Sequence, residues 1–234
     1  MNNYNPYDNN GVQALDNRVS AIMRRVYIKM FLGMLVTALV SWWCYVTPAV
    51  IQFFAAHSGM IWGLFIAELV LVFAISGGIN RMSSGTATLL FYLFSVVNGV
   101  ALFPIFLAYT HVSIAKTFFI TAGTFGAMSI FGYVTKQDLT RWGSMLFMAL
   151  IGLIICSVIN IFTKSSTFDW IISAAGVLIF IGLTAWDTQK IKQMAAVAPL
   201  ESAGKLATLG ALSLYLDFIN LFLYLLRFFG NSRD

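Results

Sequence analysis

The chain has 234 residues, of which 59% are hydrophobic and only 10% are charged, whereas a soluble domain of this size carries about 25% charged residues. That composition, with a mean hydropathy of +0.83, excludes a soluble globular domain. The formal net charge of +5 indicates membrane topology rather than nucleic-acid binding, because the basic residues cluster at the ends of apolar blocks.

The apolar residues occur in continuous blocks of about 20, the length that a helix needs to cross the hydrocarbon core. They do not alternate with polar residues as the strands of a membrane barrel do. The sequence therefore predicts an all-α membrane protein whose single domain, residues 21–231, contains seven transmembrane helices. Residues 1–20 are rich in asparagine and are predicted to form a disordered tail. The predicted spans are residues 26–46, 60–76, 86–109, 114–133, 143–163, 169–187 and 207–229.

The distribution of positive charge predicts the orientation of the chain. With the amino terminus in the cytoplasm, ten of the fourteen Lys and Arg residues fall on the cytoplasmic side. The positive-inside rule therefore favours a cytoplasmic amino terminus and an external carboxyl terminus. If the last span were re-entrant, both termini would be cytoplasmic, and the charge bias discriminates poorly between these two topologies.

The last span carries polar side chains within an otherwise apolar run, SLYLDFINLFLYLLRFFG at 213–230. They are spaced by 4, 3, 4 and 3 residues, which on a helix of about 3.6 residues per turn places them in one stripe along one face. A carboxylate in hydrocarbon is costly unless it is paired, protonated or beside water. We therefore expect the stripe to face the other helices. Its members are Ser213, Asp217, Asn220, Tyr224 and Arg227.

Asp187, which closes the sixth predicted span in the run GLTAWDTQKIK, is the candidate partner of Asp217. The short connection makes the last two spans antiparallel neighbours, and Thr184 lies on the same helical face as Asp187. Two carboxyls that meet in a low-dielectric site cannot both ionise cheaply, so they would share one proton. When deprotonated they would offer Ca²⁺ hard oxygen ligands. The alternative is that Asp187 faces cytoplasmic water and Asp217 is satisfied by neighbouring helices, and spacing alone does not decide between the two.

Glu68 lies in the middle of the second span, in GLFIAELVLVF, where a carboxylate needs a cation or a water-filled cavity. Arg227 is predicted to pair with it, because both residues fall toward the outer half of the membrane in the predicted topology. Such a pair would hold two helices together. Arg81, which follows the second span, is a candidate partner for the aspartates; its alternative is a topology charge that snorkels to the interface.

The remaining polar residues predict packing rather than chemistry. Asn98 and Asn160 are expected to form hydrogen bonds between helices, and the small residues of the fourth span predict close packing near the centre of the bundle. Cys44 and Cys156 lie within apolar blocks and are interpreted as small buried hydrophobes. The sequence has no nucleophile with a nearby base, no HExxH and no phosphate-binding loop, so neither an enzymatic activity nor a bound cofactor is predicted.

Three runs, FGAMSIFGYVTKQDL, GLTAWDTQKIK and LSLYLDFINLFLYLLRFFG, closely resemble the Bax inhibitor-1 (TMBIM) family in its bacterial branch. The resemblance covers about residues 20–231 and all seven spans. It implies six helices around a central last helix, in a bacterial inner membrane, and an association with pH-sensitive Ca²⁺ leak. It also implies that Asp187 and Asp217 are the family's paired aspartates and that Glu68 and Arg227 match its glutamate and arginine. Arg81 is the nearest match to a further arginine of the family, about two residues further from Glu68 than expected.

Two functional hypotheses follow. In the first, the protein is a proton-gated Ca²⁺ leak channel or Ca²⁺/H⁺ exchanger whose proton sensor and transient Ca²⁺ ligands are Asp187 and Asp217. Ser213, Thr184 and Asn220 are then supporting polar groups. In the second, the protein transports nothing and regulates another membrane protein, such as the membrane protease to which bacterial relatives are linked. Loss of Ca²⁺ flux in Asp217→Asn would favour the first hypothesis.

Overall fold

The computed structural model describes residues 9–57 and 59–231. Within these two ranges the chain forms nine α-helices, and seven spans are long and apolar enough to cross a membrane. The helices are α1 (Asn9–Val46), α2 (Pro48–Ala56), α3 (Met60–Gly78), α4 (Ser84–Leu102), α5 (Pro104–Ala108), α6 (His111–Val134), α7 (Thr140–Thr163), α8 (Ser166–Val197) and α9 (Ala203–Phe229). The predicted class, an all-α membrane bundle of seven spans, is confirmed.

The last helix, α9, lies at the centre of the bundle. In its most apolar window 56% of the residues are buried inside the protein, against 6% in α3 and in α7. It packs against α1, α4, α6 and α8, whereas α3 packs mainly against α4. The predicted central position of the last helix is therefore confirmed. The fourth span, α6, was also expected near the centre, but it flanks α8 and α9 instead, with 28% of its window buried.

The two ends of α9 lie at opposite ends of the bundle. Near its start, Lys205 Nζ donates to the backbone oxygen of Asn80, in the turn between α3 and α4, at 3.3 Å. Beyond its end, the backbone oxygen of Asn231 accepts a hydrogen bond from the backbone N–H of Thr110, between α5 and α6, at 3.3 Å. Because α4 and α5 run between those two turns, α9 crosses the whole bundle. It thus runs as far as a full span does, and not part-way as a re-entrant segment does.

The first helix begins well before its predicted start. Residues 9–20 are helical, so the predicted disordered tail is wrong for them, while residues 1–8 lie outside the part of the chain that the structure describes. A buried apolar stripe extends the helix back to Val19, whereas residues 11 and 13–17 are exposed and continue the same helix without burial. Val19, Ile22, Met23 and Val26, at helical spacing, are all buried against the bundle.

The sixth span, α8, continues ten residues past its predicted end at Asp187 and stops at Val197. Contacts with the α6–α7 connection hold this extension in place. The Gln189 side chain accepts a hydrogen bond from the Leu139 N–H at 2.8 Å and donates to the Gln137 oxygen at 2.7 Å. Asp187 therefore lies inside a helix, and residues 198–202 alone connect α8 to α9.

The third span, predicted as one helix, is divided into α4 and α5. Pro104 stands at the first position of α5 and has no backbone N–H to continue the helix from α4. Pro48 likewise begins α2, a short helix that was not predicted.

A half-buried lysine within the first span joins three helices. Lys29 Nζ donates to Thr88 Oγ1 on α4 at 2.7 Å and to Thr208 Oγ1 on α9 at 2.6 Å. The backbone oxygen of Gly204 is a third acceptor at 3.4 Å. The ammonium group is thus held by neutral oxygens from two neighbouring helices, which fixes α1 against the start of α9.

We expect Thr208→Val to lower the free energy of unfolding by about 1.5–3 kcal/mol, because the Lys29 ammonium then loses an acceptor in a site largely closed to water. Thermal unfolding of the purified protein in detergent measures the effect. The control is the same change in a Lys29→Met background, where the Thr208 hydroxyl contacts only neutral groups, the Gly204 oxygen of its own helix at 3.1 Å and Thr88 Oγ1 on α4 at 3.2 Å. Equal destabilisation in the two backgrounds would contradict the role of Lys29.

Candidate functional site

The two predicted aspartates lie where α8 meets α9. Asp187, on α8, is 7% exposed, and its Oδ2 accepts a hydrogen bond from Ser213 Oγ on α9 at 2.6 Å. Asp187 therefore faces the central helix and not the cytoplasmic water.

Asp217 lies one helical turn beyond Ser213 on α9 and is 4% exposed. Its carboxyl interacts electrostatically with that of Asp187. Its Oδ2 is buried, and no donor among the described residues forms a hydrogen bond with it. We call Asp187 and Asp217 the diacid pair. The structure places the two aspartates on facing helices in the bundle interior, where Ser213, one turn from Asp217, donates to Asp187, and Asp217 Oδ2 has no hydrogen-bond partner among the described residues.

The predicted supporting groups divide into two kinds. Ser213 contacts the pair directly. Thr184 and Asn220 form hydrogen bonds with their own helices, Thr184 Oγ1 to the Phe180 oxygen at 2.7 Å and Asn220 Nδ2 to the Leu216 oxygen at 2.8 Å. Of the three, Ser213 is therefore the one that forms a hydrogen bond with an aspartate of the pair.

The run that contains Asp187 fixes α8 against α6 and α7. The Trp186 ring covers Gly143, so closely that a Cβ there would overlap the indole. Lys190 Nζ lies over the same ring, 4.6 Å from its centroid, and Lys192 Nζ donates to the Tyr133 oxygen at 2.7 Å. These contacts hold the part of α8 that carries Asp187 against α6 and α7.

Beyond Asp217, toward the end of α9, lies an apolar cavity of about 110 Å³ between α1, α5, α6 and α9. Phe218 and Ile219, the two residues that follow Asp217, contribute to its wall. Other lining residues are Met34, Ile105, Phe118 and Phe222. An ion leaving the diacid pair in this direction would meet an apolar barrier.

The predicted pair of Glu68 with Arg227 is wrong. Arg227 Nη1 lies 3.4 Å from Asp169 Oδ1, and both side chains are partly exposed. Asn160 Nδ2 donates to the same oxygen at 3.3 Å, as the predicted helix-to-helix contact of Asn160 requires. This cluster joins α7, α8 and α9 at one end of the bundle. Arg227 is more than three helical turns beyond the level of Glu68, which is too far for an ion pair.

Glu68 is instead the first member of a hydrogen-bond chain across the bundle. Its Oε1 lies 2.7 Å from Asn98 Nδ2 on α4, which confirms the predicted interhelical role of Asn98. Asn98 Oδ1 lies 2.8 Å from the hydroxyl of Tyr215 on α9. That hydroxyl lies 2.6 Å from Thr37 Oγ1 on α1, and Thr37 Oγ1 donates to the Ser95 backbone oxygen at 2.8 Å. We call these groups the Glu68 chain.

The sequence did not single out several polar residues that the structure places in the interior, and Arg81 lies elsewhere than predicted. Arg81 is exposed in the turn after α3. Its backbone N–H donates to the Gly78 oxygen at 2.9 Å, but no hydrogen bond or ion pair joins its side chain to another described residue. Lys29, Thr37 and Tyr215 were missed, although each is a polar group inside an apolar block. An ionisable residue such as Lys29 within a span was a usable signal, but it was counted with the topology charges.

A divalent ion at the diacid pair would have two carboxylates and neutral oxygens such as Ser213 Oγ as ligands. Among the residues that the structure describes, no three His, Cys, Asp or Glu side chains come together. Ca²⁺ accepts carboxylate and neutral oxygen ligands but requires six to eight of them for tight binding. This donor set falls short of the six to eight ligands of a tight Ca²⁺ site.

The fold and this site define a polytopic membrane protein whose central helix carries one half of a buried diacid pair. A family model described as "Inhibitor of apoptosis-promoting Bax1" matches residues 19–234. The inner membrane protein YbhL of Escherichia coli K12 is 48% identical over 214 residues, which cover 90% of this chain and 92% of YbhL. Uncharacterized proteins of Borreliella burgdorferi and Rickettsia prowazekii are 44% and 43% identical; the matches cover 91% and 95% of this chain and 92% and 94% of theirs. The chain belongs to the Bax inhibitor-1 family.

Proposed function

We propose that this protein is a pH-sensitive pathway for Ca²⁺, a leak channel or Ca²⁺/H⁺ exchanger, in which the diacid pair is the proton sensor. The observation that carries the proposal is the buried Asp217 Oδ2, which lacks a hydrogen-bond partner beside the carboxyl of Asp187. The name of the relative YbhL supports a location in a bacterial inner membrane. The charge distribution supports a cytoplasmic amino terminus and an external carboxyl terminus.

A proton decides how the two carboxyls interact. When one of them is protonated, it can donate a hydrogen bond to the other, and the pair attracts α9 to α8. When both are ionised, they repel each other in a site of low dielectric constant. Because α8 is fixed to α6 and α7, the change is taken up by α9 at the centre of the bundle.

Ca²⁺ is the ion that the ionised pair suits, because carboxylates are hard oxygen ligands. The pair holds the ion weakly, as a pathway requires, since tight binding would prevent release. The apolar cavity beyond Phe218 is then the barrier on the other side of the pair, and it must fill with water for an ion to pass.

The test is Ca²⁺ flux into liposomes that contain the purified protein and a trapped Ca²⁺ dye, measured from about pH 5.5 to about pH 8.5. We expect flux above that of empty liposomes, with a sigmoidal dependence on pH. Flux equal to that of empty liposomes at every pH would overturn the proposal and would favour a regulatory protein that binds another membrane protein.

Removing the hydroxyl that contacts the pair should shift the pH response without abolishing it. The Ser213 O–H stabilises the ionised form of Asp187, so without it the pair holds its proton to higher pH. In Ser213→Ala we expect the midpoint of flux to move to higher pH. Ser173→Ala is the control, because Ser173, which is more deeply buried than Ser213, donates to its own helix, at the Asp169 oxygen. A midpoint that is unchanged, or lower, would contradict this role of Ser213.

A further inference from the structure

Each hydrogen bond in the Glu68 chain needs one proton, so the number of contacts can be compared with the number of protons available for them. Three short contacts follow one another from Asn98 to Tyr215, from Tyr215 to Thr37 and from Thr37 to the Ser95 oxygen. All four residues are buried, and the Tyr215 and Thr37 hydroxyls each own a single proton. The orientation of the Asn98 amide decides whether these protons are enough.

Consider first an ionised Glu68. Its carboxylate only accepts, so Asn98 turns its NH₂ toward Glu68 and its oxygen toward Tyr215. Two hydroxyl protons must then serve three contacts between oxygens, because the Asn98 and Ser95 oxygens are pure acceptors. One oxygen–oxygen contact of 2.6–2.8 Å is left without a proton.

Consider next a protonated Glu68. The Asn98 amide has nearly the same shape when its two ends are exchanged, so it can turn its oxygen toward Glu68 and its NH₂ toward Tyr215. Glu68 then donates to Asn98, Asn98 to Tyr215, Tyr215 to Thr37, and Thr37 to the Ser95 oxygen. Every contact contains one proton, and no group is asked to donate twice.

The charged groups around Glu68 offer no substitute for that proton. The helices that pack against α3 are chiefly α4 and α9. Of their titratable side chains, Tyr215 contacts Asn98 in the Glu68 chain, whereas Arg227 bonds Asp169 and Lys205 bonds the Asn80 oxygen. The full set on these two helices is Tyr92, Lys205, Tyr215, Asp217, Tyr224 and Arg227.

We propose that Glu68 is a proton-binding site separate from the diacid pair, and that its bound proton completes the hydrogen-bond chain that ties the peripheral helix α3 to α4, α9 and α1. Tyr215 and Asp217 are two residues apart and so point to nearly opposite faces of α9. The central helix therefore carries one proton site on each face. The inference does not depend on Ca²⁺ transport.

The sequence offers a direct test, because the chain contains two glutamates, Glu68 and Glu201. Protein grown with glutamate that is ¹³C-labelled at the side-chain carboxyl gives two carboxyl signals, which NMR follows as a function of pH. Glu201 is exposed and serves as an internal reference, and Glu201→Gln assigns the signals. We expect Glu68 to keep the chemical shift of a protonated acid at pH 7, a pH at which a glutamate in water is ionised. A Glu68 signal that titrates together with Glu201 would overturn the proposal.

A second variant tests whether Glu68 keeps its proton because the hydrogen-bond chain needs one, and not only because Glu68 is packed between helices. Tyr215→Phe removes the hydroxyl contacts, so Asn98 can turn its NH₂ to Glu68 without leaving an oxygen–oxygen contact that lacks a proton. Glu68 should then ionise at lower pH than in the wild type. Tyr92→Phe is the control, because Tyr92 lies on the same helix as Asn98 but outside the chain. Identical Glu68 titrations in wild type and Tyr215→Phe would show that the chain does not hold the proton. Since neither readout is flux, failure of this inference is distinguishable from failure of the proposed Ca²⁺ pathway.

Discussion

Replacing Asp217 by asparagine is expected to abolish the pH response of Ca²⁺ flux. Asparagine keeps the shape of the aspartate but cannot ionise, and its amide can donate to Asp187 as the protonated acid would. The variant therefore resembles the protonated pair at every pH. Flux should stay at the level that the wild type has at acid pH. In the wild type, by contrast, the fraction of the pair that holds the proton falls about tenfold as the pH rises from one unit below the midpoint to one unit above it.

The matched control for this experiment is Asp169→Asn, which makes the same chemical change in an aspartate that is partly exposed and bonded to Arg227 at 3.4 Å. It should lose little stability and retain the wild-type pH response. A full pH response in Asp217→Asn, or its loss in Asp169→Asn, would contradict the assignment of the proton sensor.

Gly132→Ala is expected to have the largest effect on stability. A Cβ at Gly132 of α6 would overlap the backbone carbonyl of Ala185 on α8, and a backbone group cannot move aside as a flexible side chain can. The two helices must separate, which we expect to cost at least about 3 kcal/mol. Ala185 lies two residues before Asp187, so the separation would also displace one half of the diacid pair.

Gly123→Ala and Gly126→Ala, on the same helix, are the controls for this prediction. A Cβ at either position meets no atom within 4 Å, and alanine favours a helix over glycine by about 1 kcal/mol. Both variants should be as stable as the wild type or slightly more stable in thermal unfolding. If Gly132→Ala proved as stable as Gly123→Ala, the close approach of α6 and α8 would be wrong.

The sequence predicted the spans well because lipid imposes one simple pattern, a continuous apolar run of sufficient length. It failed at the ends of α1 and α8, where polar residues continue a helix. There the helix is stabilised by contacts with distant parts of the chain, such as Gln189 with the α6–α7 connection. No local pattern of residues reports such contacts.

The partner of a buried polar side chain was predictable when the two residues lie on consecutive helices. It was not predictable when their helices are far apart in the chain. Asp187 and Asp217 lie on consecutive helices with a short connection, so helical spacing suggested that they meet, although it did not indicate that Ser213 donates to Asp187. Glu68 and Arg227 looked complementary in charge, but Arg227 lies twelve residues beyond Tyr215 on α9, or about 18 Å at 1.5 Å per residue. Only the relative heights of the helices show that Glu68 meets Asn98 and that Arg227 meets Asp169.

α9 emerges as the element that connects the ionisable sites. One face contributes Asp217 and Ser213 to the diacid pair, the opposite face contributes Tyr215 to the Glu68 chain, and its first turns contact Lys29 through Thr208. A displacement of this helix therefore changes all three contacts together. Under the proposed function, a proton bound at the diacid pair would act on the rest of the bundle through this helix.

The most direct test that Asp187 and Asp217 share one proton is a double-mutant cycle on the diacid pair, in which the measured quantity is the pH dependence of Ca²⁺ flux in liposomes. It compares the wild type with Asp187→Asn, Asp217→Asn and the variant that carries both changes. If the two carboxyls share one proton, either single change removes the entire pH response and the second change removes nothing more. If each single variant kept part of the response and the double variant lost the sum of both parts, the two aspartates would titrate independently and the account would be wrong.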